Sequence, residues 1–122
     1  MLPVRIFSND RLIGHADLFA SDPGMGVASG EFRPTEAYFE IRSAVDAICN
    51  GLSSGYESLG LRAETEQGVR LEAAGGIVIL DAIEFDIGPP QVDVCGISNA
   101  NYRYGEWFGD DPFYKSYFSG EP

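Results

Sequence analysis

The sequence predicts an α+β fold: a mostly antiparallel sheet of five to seven strands, with one main amphipathic helix packed on it and a short C-terminal helix. Three observations lead there. Apolar and polar residues alternate in several short runs separated by turn residues, the pattern of antiparallel strands. Between Pro34 and Asn50 the apolar spacing lengthens to that of a helix. Near the C-terminus, Asp110-Asp111-Pro112 has the composition of a helix start. The 122 residues fit one domain spanning residues 1–122, large enough to bury roughly two thirds of the surface its unfolded chain would expose.

Val4 to Phe7 and Leu12 to Phe19 read as two strands joined by the turn residues Ser8-Asn9-Asp10-Arg11, and so as a hairpin. In the second run the period of two puts Leu12, Gly14, Ala16 and Leu18 on one face and Ile13, His15, Asp17 and Phe19 on the other. Two very small residues in the first set allow close packing against that face. A turn-rich stretch from Ala20 to Gly26 leads to a short strand from Val27 to Phe32.

Tyr38, Ile41, Val45 and Ile48 then recur at helical spacing, opened by Pro34 or Thr35 and closed by Asn50-Gly51, a pair suited to a left-handed C-terminal cap. Beyond Ser53-Ser54-Gly55 comes a meander: Leu59, Leu61 and Ala63, a turn at Glu66-Gln67-Gly68, then Val69, Leu71 and Ala73, and a second turn at Gly75-Gly76. A long strand from Ile77 to Ile87 is broken by Gly88-Pro89-Pro90, and Gln91 to Ile97 forms the last strand. Between Tyr102 and Phe118 lie eight of the fifteen aromatic residues, with Pro112 starting a helix that ends near Phe118. This tail either folds back to close the open side of the core or holds Tyr102, Tyr104 and Trp107 partly exposed as interface anchors.

Charge bears most directly on partners. Nineteen carboxylates stand against eight Lys and Arg, a formal net charge of −11, which repels nucleic acid and anionic lipid and attracts basic surfaces. No cation falls between Arg70 and Arg103, whereas Glu72, Asp81, Glu84, Asp86 and Asp93 do. If the two long strands pair, Glu84, Asp86 and Asp93 form an acidic patch on the exposed side of the sheet. Such a face either keeps the protein soluble and blocks edge pairing or docks a basic partner by imitating phosphate charge.

The chemistry-bearing residues form no recognisable catalytic constellation, and no catalytic residue is assigned. His15 and Asp17 share a strand face, but such neighbours sit about 7 Å apart, and no nucleophile is placed beside them. Gly24-Met25-Gly26-Val27-Ala28-Ser29-Gly30 misses the spacing of a dinucleotide loop and precedes a strand, which leaves a tight, shaped loop. One histidine and two distant cysteines do not make a zinc site, Glu84 with Asp86 is a weak cation candidate, and no cofactor is expected. Cys49 and Cys95 are expected as reduced, buried thiols. Neither a signal peptide nor a membrane span is read in the sequence, so a cytoplasmic location is expected.

The stretch Leu12-Ile13-Gly14-His15-Ala16-Asp17-Leu18, followed by Asp22-Pro23-Gly24-Met25-Gly26-Val27-Ala28-Ser29-Gly30-Glu31-Phe32-Arg33-Pro34 and Tyr38, resembles a pattern in small uncharacterised bacterial proteins. It implies no active site. In size, acidity and helix-on-sheet plan the chain is similar in type to immunity proteins that neutralise bacterial toxins and to phage anti-defence inhibitors, a likeness that transfers no residues. These readings converge on a non-enzymatic acidic binding protein that inhibits a basic partner, a nucleic-acid enzyme or a toxin, through Asp81, Glu84, Asp86, Asp93, Tyr102, Tyr104 and Trp107. The alternatives are a small enzyme or ligand-binding domain with a pocket near the glycine loop and His15, and a homodimeric accessory protein.

Overall fold

The computed structural model describes residues 1–49, 51, 56, 59–81, 89–97 and 103–119. β1 (Leu2–Ser8) and β2 (Arg11–Asp22) form the expected hairpin. Its turn places Asn9 at φ +54°, a left-handed conformation that asparagine tolerates better than most residues. A 3₁₀ turn at Pro23–Met25 leads to β3 (Val27–Glu31) and β4 (Arg33–Pro34), both antiparallel to β2. β5 (Leu61–Thr65) pairs with the other side of β1, while β6 (Ala73–Leu80) pairs with β7 (Gln91–Ile97), which borders β3.

The strand order is therefore β5-β1-β2-β3-β7-β6, with β4 beside β2, and every pairing is antiparallel. The sheet curls into a half-barrel whose edge strands, β5 and β6, approach one another. Its register brings Val4, Ile6, Ala16, Leu18, Ala28, Val94, Val92, Ile77 and Ile79 onto one concave, buried face. Full burial of each large aliphatic side chain contributes about 1.5–3 kcal/mol. The small residues mark places where chains nearly touch. A Cβ on Gly14 would stand 2.4 Å from the Phe32 ring, and one on Gly30 would stand 2.4 Å from the Asp17 carbonyl oxygen. Phe32 is thus the group that uses the small face of β2.

Five sequence expectations need correction. Ile6 lies opposite Gly14 but Phe7 opposite Leu12, so Ile13 is the extra residue of a β-bulge. The bulge turns Ile13 inward, away from the face of His15 and Asp17, and leaves it buried. Gly75-Gly76 does not turn the chain either: it forms a second bulge within β6, with Gly76 at φ +84°. Residues 69–71 make backbone bonds to β5, Thr65 N–H to Val69 O and Leu71 N–H to Ala63 O, without becoming a strand of their own. The strand expected from Ile77 to Ile87 ends at Leu80; residues 82–88 lie outside the described part.

The fifth correction concerns the helix over 34–50, which divides into a 3₁₀ segment, Glu36–Glu40, and α1 (Arg42–Cys49). Ile41 N–H bonds to Tyr38 O, three residues back, whereas Val45 N–H bonds to Ile41 O, four back. Thr35 holds the entry by bonding through both its N–H and its hydroxyl to the bulge carbonyls of Ile13 and Leu12. Gly51 closes α1 at φ +73°, as its composition implies, with its N–H on Ile48 O. Tyr38 and Val45 are buried, with Ile41 and Ile48 packed against the same core.

Two helices follow β7: α2 (Arg103–Phe108), which the sequence reading missed, and α3 (Pro112–Ser119). Asp111 is the cap anticipated from Asp-Pro, its carboxylate accepting the Phe113 N–H at 2.8 Å. The other carboxylate oxygen accepts Ala20 N–H at 3.2 Å, which ties the tail to β2. No helix among the described residues is long and apolar enough to cross a membrane.

Candidate functional site

The outer face of β3, β7 and β6 carries the part of the expected acidic patch that the structure describes. Antiparallel register sets Glu31, Gln91 and Leu80 in one row and Ser29, Asp93 and Val78 in the next. Gln91 Nε2 donates to Asp93 Oδ1 at 2.8 Å and so fixes the carboxylate beside its neighbour. Leu80 remains 46 % exposed between this polar row and solvent. The result is a mixed surface, carboxylates next to an exposed aliphatic side chain. Glu84 and Asp86, expected on the same face, lie outside the described residues, as does Tyr102.

Asp81 is placed differently. It follows Ile77 and Ile79 at the period of two, so it points to the core side, where it is only 9 % exposed. Tyr38 OH donates to Asp81 Oδ2 at 2.5 Å and Arg42 Nε donates to the same oxygen at 3.1 Å. Asp81 therefore bonds the 3₁₀ segment and α1 to the sheet and does not share a face with Asp93. Burial, followed by the hydrogen bond to Asp81, pushes the Tyr38 hydroxyl well above the ordinary tyrosine range. Beside it Tyr56 OH donates to Ile79 O at 2.7 Å and is also pushed up, mainly by burial.

The C-terminal rings close one end of the half-barrel. Phe108 is buried, Tyr104 and Trp107 are half-buried against the core, and Tyr104 OH donates to Val27 O at 2.9 Å. Tyr104 packs on Phe108 at 4.7 Å between ring centroids, and Phe113 on Phe19 at 5.1 Å. Phe113 is 58 % exposed. The signal for α2 was present in the i, i+4 spacing of Tyr104 and Phe108.

The glycine loop serves the backbone. Asp22 accepts Met25 N–H at 3.2 Å, Pro23 starts the 3₁₀ turn, and Gly26 leaves it at φ +68°. Cys49 and Cys95 are free thiols, half-buried where full burial was expected; desolvation and then Asp93 raise the Cys95 pKa, which disfavours its nucleophilic thiolate. Among the described residues no three His, Cys, Asp or Glu side chains gather as metal ligands.

On the outer face of β1, β2 and β4, Arg5, His15 and Arg33 stand directly opposite one another, each on its own strand. They line a groove of about 280 Å³ with Asp17 and Glu66. Asp17 does not engage His15; its Oδ2 accepts Arg33 Nη1 at 3.2 Å. Arg5 Nη2 reaches the carbonyls of Thr65 and Glu66, while Arg5 Nε is buried without a hydrogen-bond partner.

Comparison of the chain with protein-family models, curated proteins and solved structures finds no match.

Proposed function

We propose that this protein is a non-enzymatic binding module that inhibits a basic protein partner, in the manner of an immunity or anti-defence protein, by docking it on the outer face of β3, β7 and β6. The observation that carries this reading is the juxtaposition of Glu31 and Asp93 with the exposed Leu80 on one strand face. Charge elsewhere supports it. Arg11, Arg33, Arg42, Arg62 and Lys115 each pair with a carboxylate of the chain itself, to Glu40, Asp17, Asp81, Glu64 and Asp110. The chain's formal net charge of −11 sets up a field that draws in a basic surface, and Leu80 supplies apolar contact after encounter.

The test is capture from host lysate on immobilised protein, with wild type and an E31K/D93K double variant compared at low and high salt. The expected result is one basic protein retained one-to-one by wild type at low salt and lost by the variant. Equal retention by both, or none by wild type, contradicts the proposal.

A further inference from the structure

We infer that the groove between β1, β2 and β4 is an oxyanion site in which Arg5, His15 and Arg33 receive a phosphate or carboxylate group. Independently of the proposed docking face, the row itself is the first reason. Three of the chain's nine Lys, Arg and His side chains occupy consecutive cross-strand positions, Arg5 opposite His15 and His15 opposite Arg33. Two guanidinium groups thus flank His15, and an anion seated over the row faces both. In a chain so poor in cations this concentration is not a by-product of composition.

Donor chemistry is the second reason. A guanidinium has no acceptor, and its planar fork matches the oxygens of carboxylate and phosphate. Arg33 lies half exposed and spends one nitrogen on Asp17, while Arg5 spends one on backbone carbonyls and keeps a buried Nε without a partner. The His15 ring is exposed midway between them. A groove of about 280 Å³ has room for a small anionic group, free or at the end of a larger molecule.

The charged groups around His15 are Arg5 from β1, Arg33 from β4, Asp17 from β2 itself, Glu66 from the turn after β5 and, beyond Arg5 in the same row, Glu64 of β5, which accepts from Arg62 Nε. The carboxylates compete with an incoming anion. Removing Asp17 frees the Arg33 guanidinium and strengthens the site, whereas removing Arg33 weakens it.

Since His15 is the only histidine, its ring resonances report on this groove without assignment ambiguity. The experiment titrates the full chain by proton NMR over pH 5–8 in sodium chloride, phosphate and acetate at equal ionic strength. Phosphate is expected to move the His15 midpoint upward by about one pH unit relative to chloride. Acetate distinguishes sources: an equal effect makes carboxylates ligands too, and no effect restricts the site to phosphate. Arg33→Gln is expected to weaken phosphate binding about tenfold, the loss of one charge-assisted contact. Asp17→Asn should tighten it, whereas Asp10→Asn, the same charge change in the hairpin turn, should not. Superimposable His15 curves in chloride, phosphate and acetate overturn the inference. So does an Arg33→Gln protein, folded by the same spectra, that keeps the full phosphate response.

Discussion

Tyr38 and Asp81 show how one residue pair holds two layers together. The phenol is 1 % exposed, and its hydroxyl donates to a carboxylate 43 positions away in the chain. Tyr38→Phe keeps the ring and removes the donor, leaving Asp81 with Arg42 alone. The expected cost is about 1–3 kcal/mol, read as a lowered urea midpoint with an unchanged slope. Alkaline pH tests the same burial. The folded pKa values of Tyr38, Tyr56 and Tyr104 are raised above the ordinary value near 10, burial being the first cause for each. Above that value the unfolded chain gives up protons that the folded chain retains. Stability is therefore fully present below about pH 10 and falls as pH rises beyond it. Absorbance at 295 nm should show that these three of the six tyrosines ionise only as the protein unfolds. Six ionising together near pH 10 in folded protein would contradict their burial. Gly30 makes a steric counterpart, since a methyl group there meets a backbone oxygen that cannot swing aside. Gly30→Ala should cost about 1–3 kcal/mol in the same urea assay.

At the scale of elements, the strongest sequence signals were local ones. The β1–β2 hairpin, the strand from Gln91 to Ile97 and the Asp111-Pro112 helix start depend on turn chemistry, alternation and capping within a few residues, and each forms where those signals lie. What the sequence hid depends on partners elsewhere. Ile13 changes face because β1 skips a residue opposite it, and no alternation within β2 alone records that skip. Gly75-Gly76 has the composition of a turn, yet β7 continues alongside it, Ala73 opposite Ile97 and Gly76 opposite Cys95, so the pair becomes a bulge. The candidate site was legible to the same degree. Asp93 reached the outer face that strand alternation assigned it, while the burial of Asp81 follows from the helix segment packed above it. The Arg5–His15–Arg33 row was not legible at all, because it spans three strands whose register only the folded sheet defines. Gly76 gives the element-scale prediction. At φ +84° with open space around its Cα, it pays only backbone strain on substitution, so Gly76→Ala should cost about 1–2 kcal/mol. An unchanged urea midpoint would contradict a left-handed Gly76 at this bulge.

The whole molecule is a curled antiparallel sheet with its apolar face inward, closed by α1 on one side and the aromatic tail on the other. This arrangement leaves the outer face of the sheet as the broad surface on which charge is presented. With a net charge of −11 the long-range field acts before any contact is made, so its effect belongs to the association rate more than to the lifetime of a complex. On the proposed function, Leu80 and Val78 act after encounter, on dissociation. Replacing Leu80 by Ser should therefore quicken release with little change in association, the opposite division from that of E31K/D93K. The most direct measurement is the association rate of the captured basic partner as a function of ionic strength. The proposed function predicts a steep fall between low and physiological salt, with the E31K/D93K protein starting about tenfold or more slower and responding less to salt. Equal rates for the two proteins at every salt concentration would contradict docking on this face.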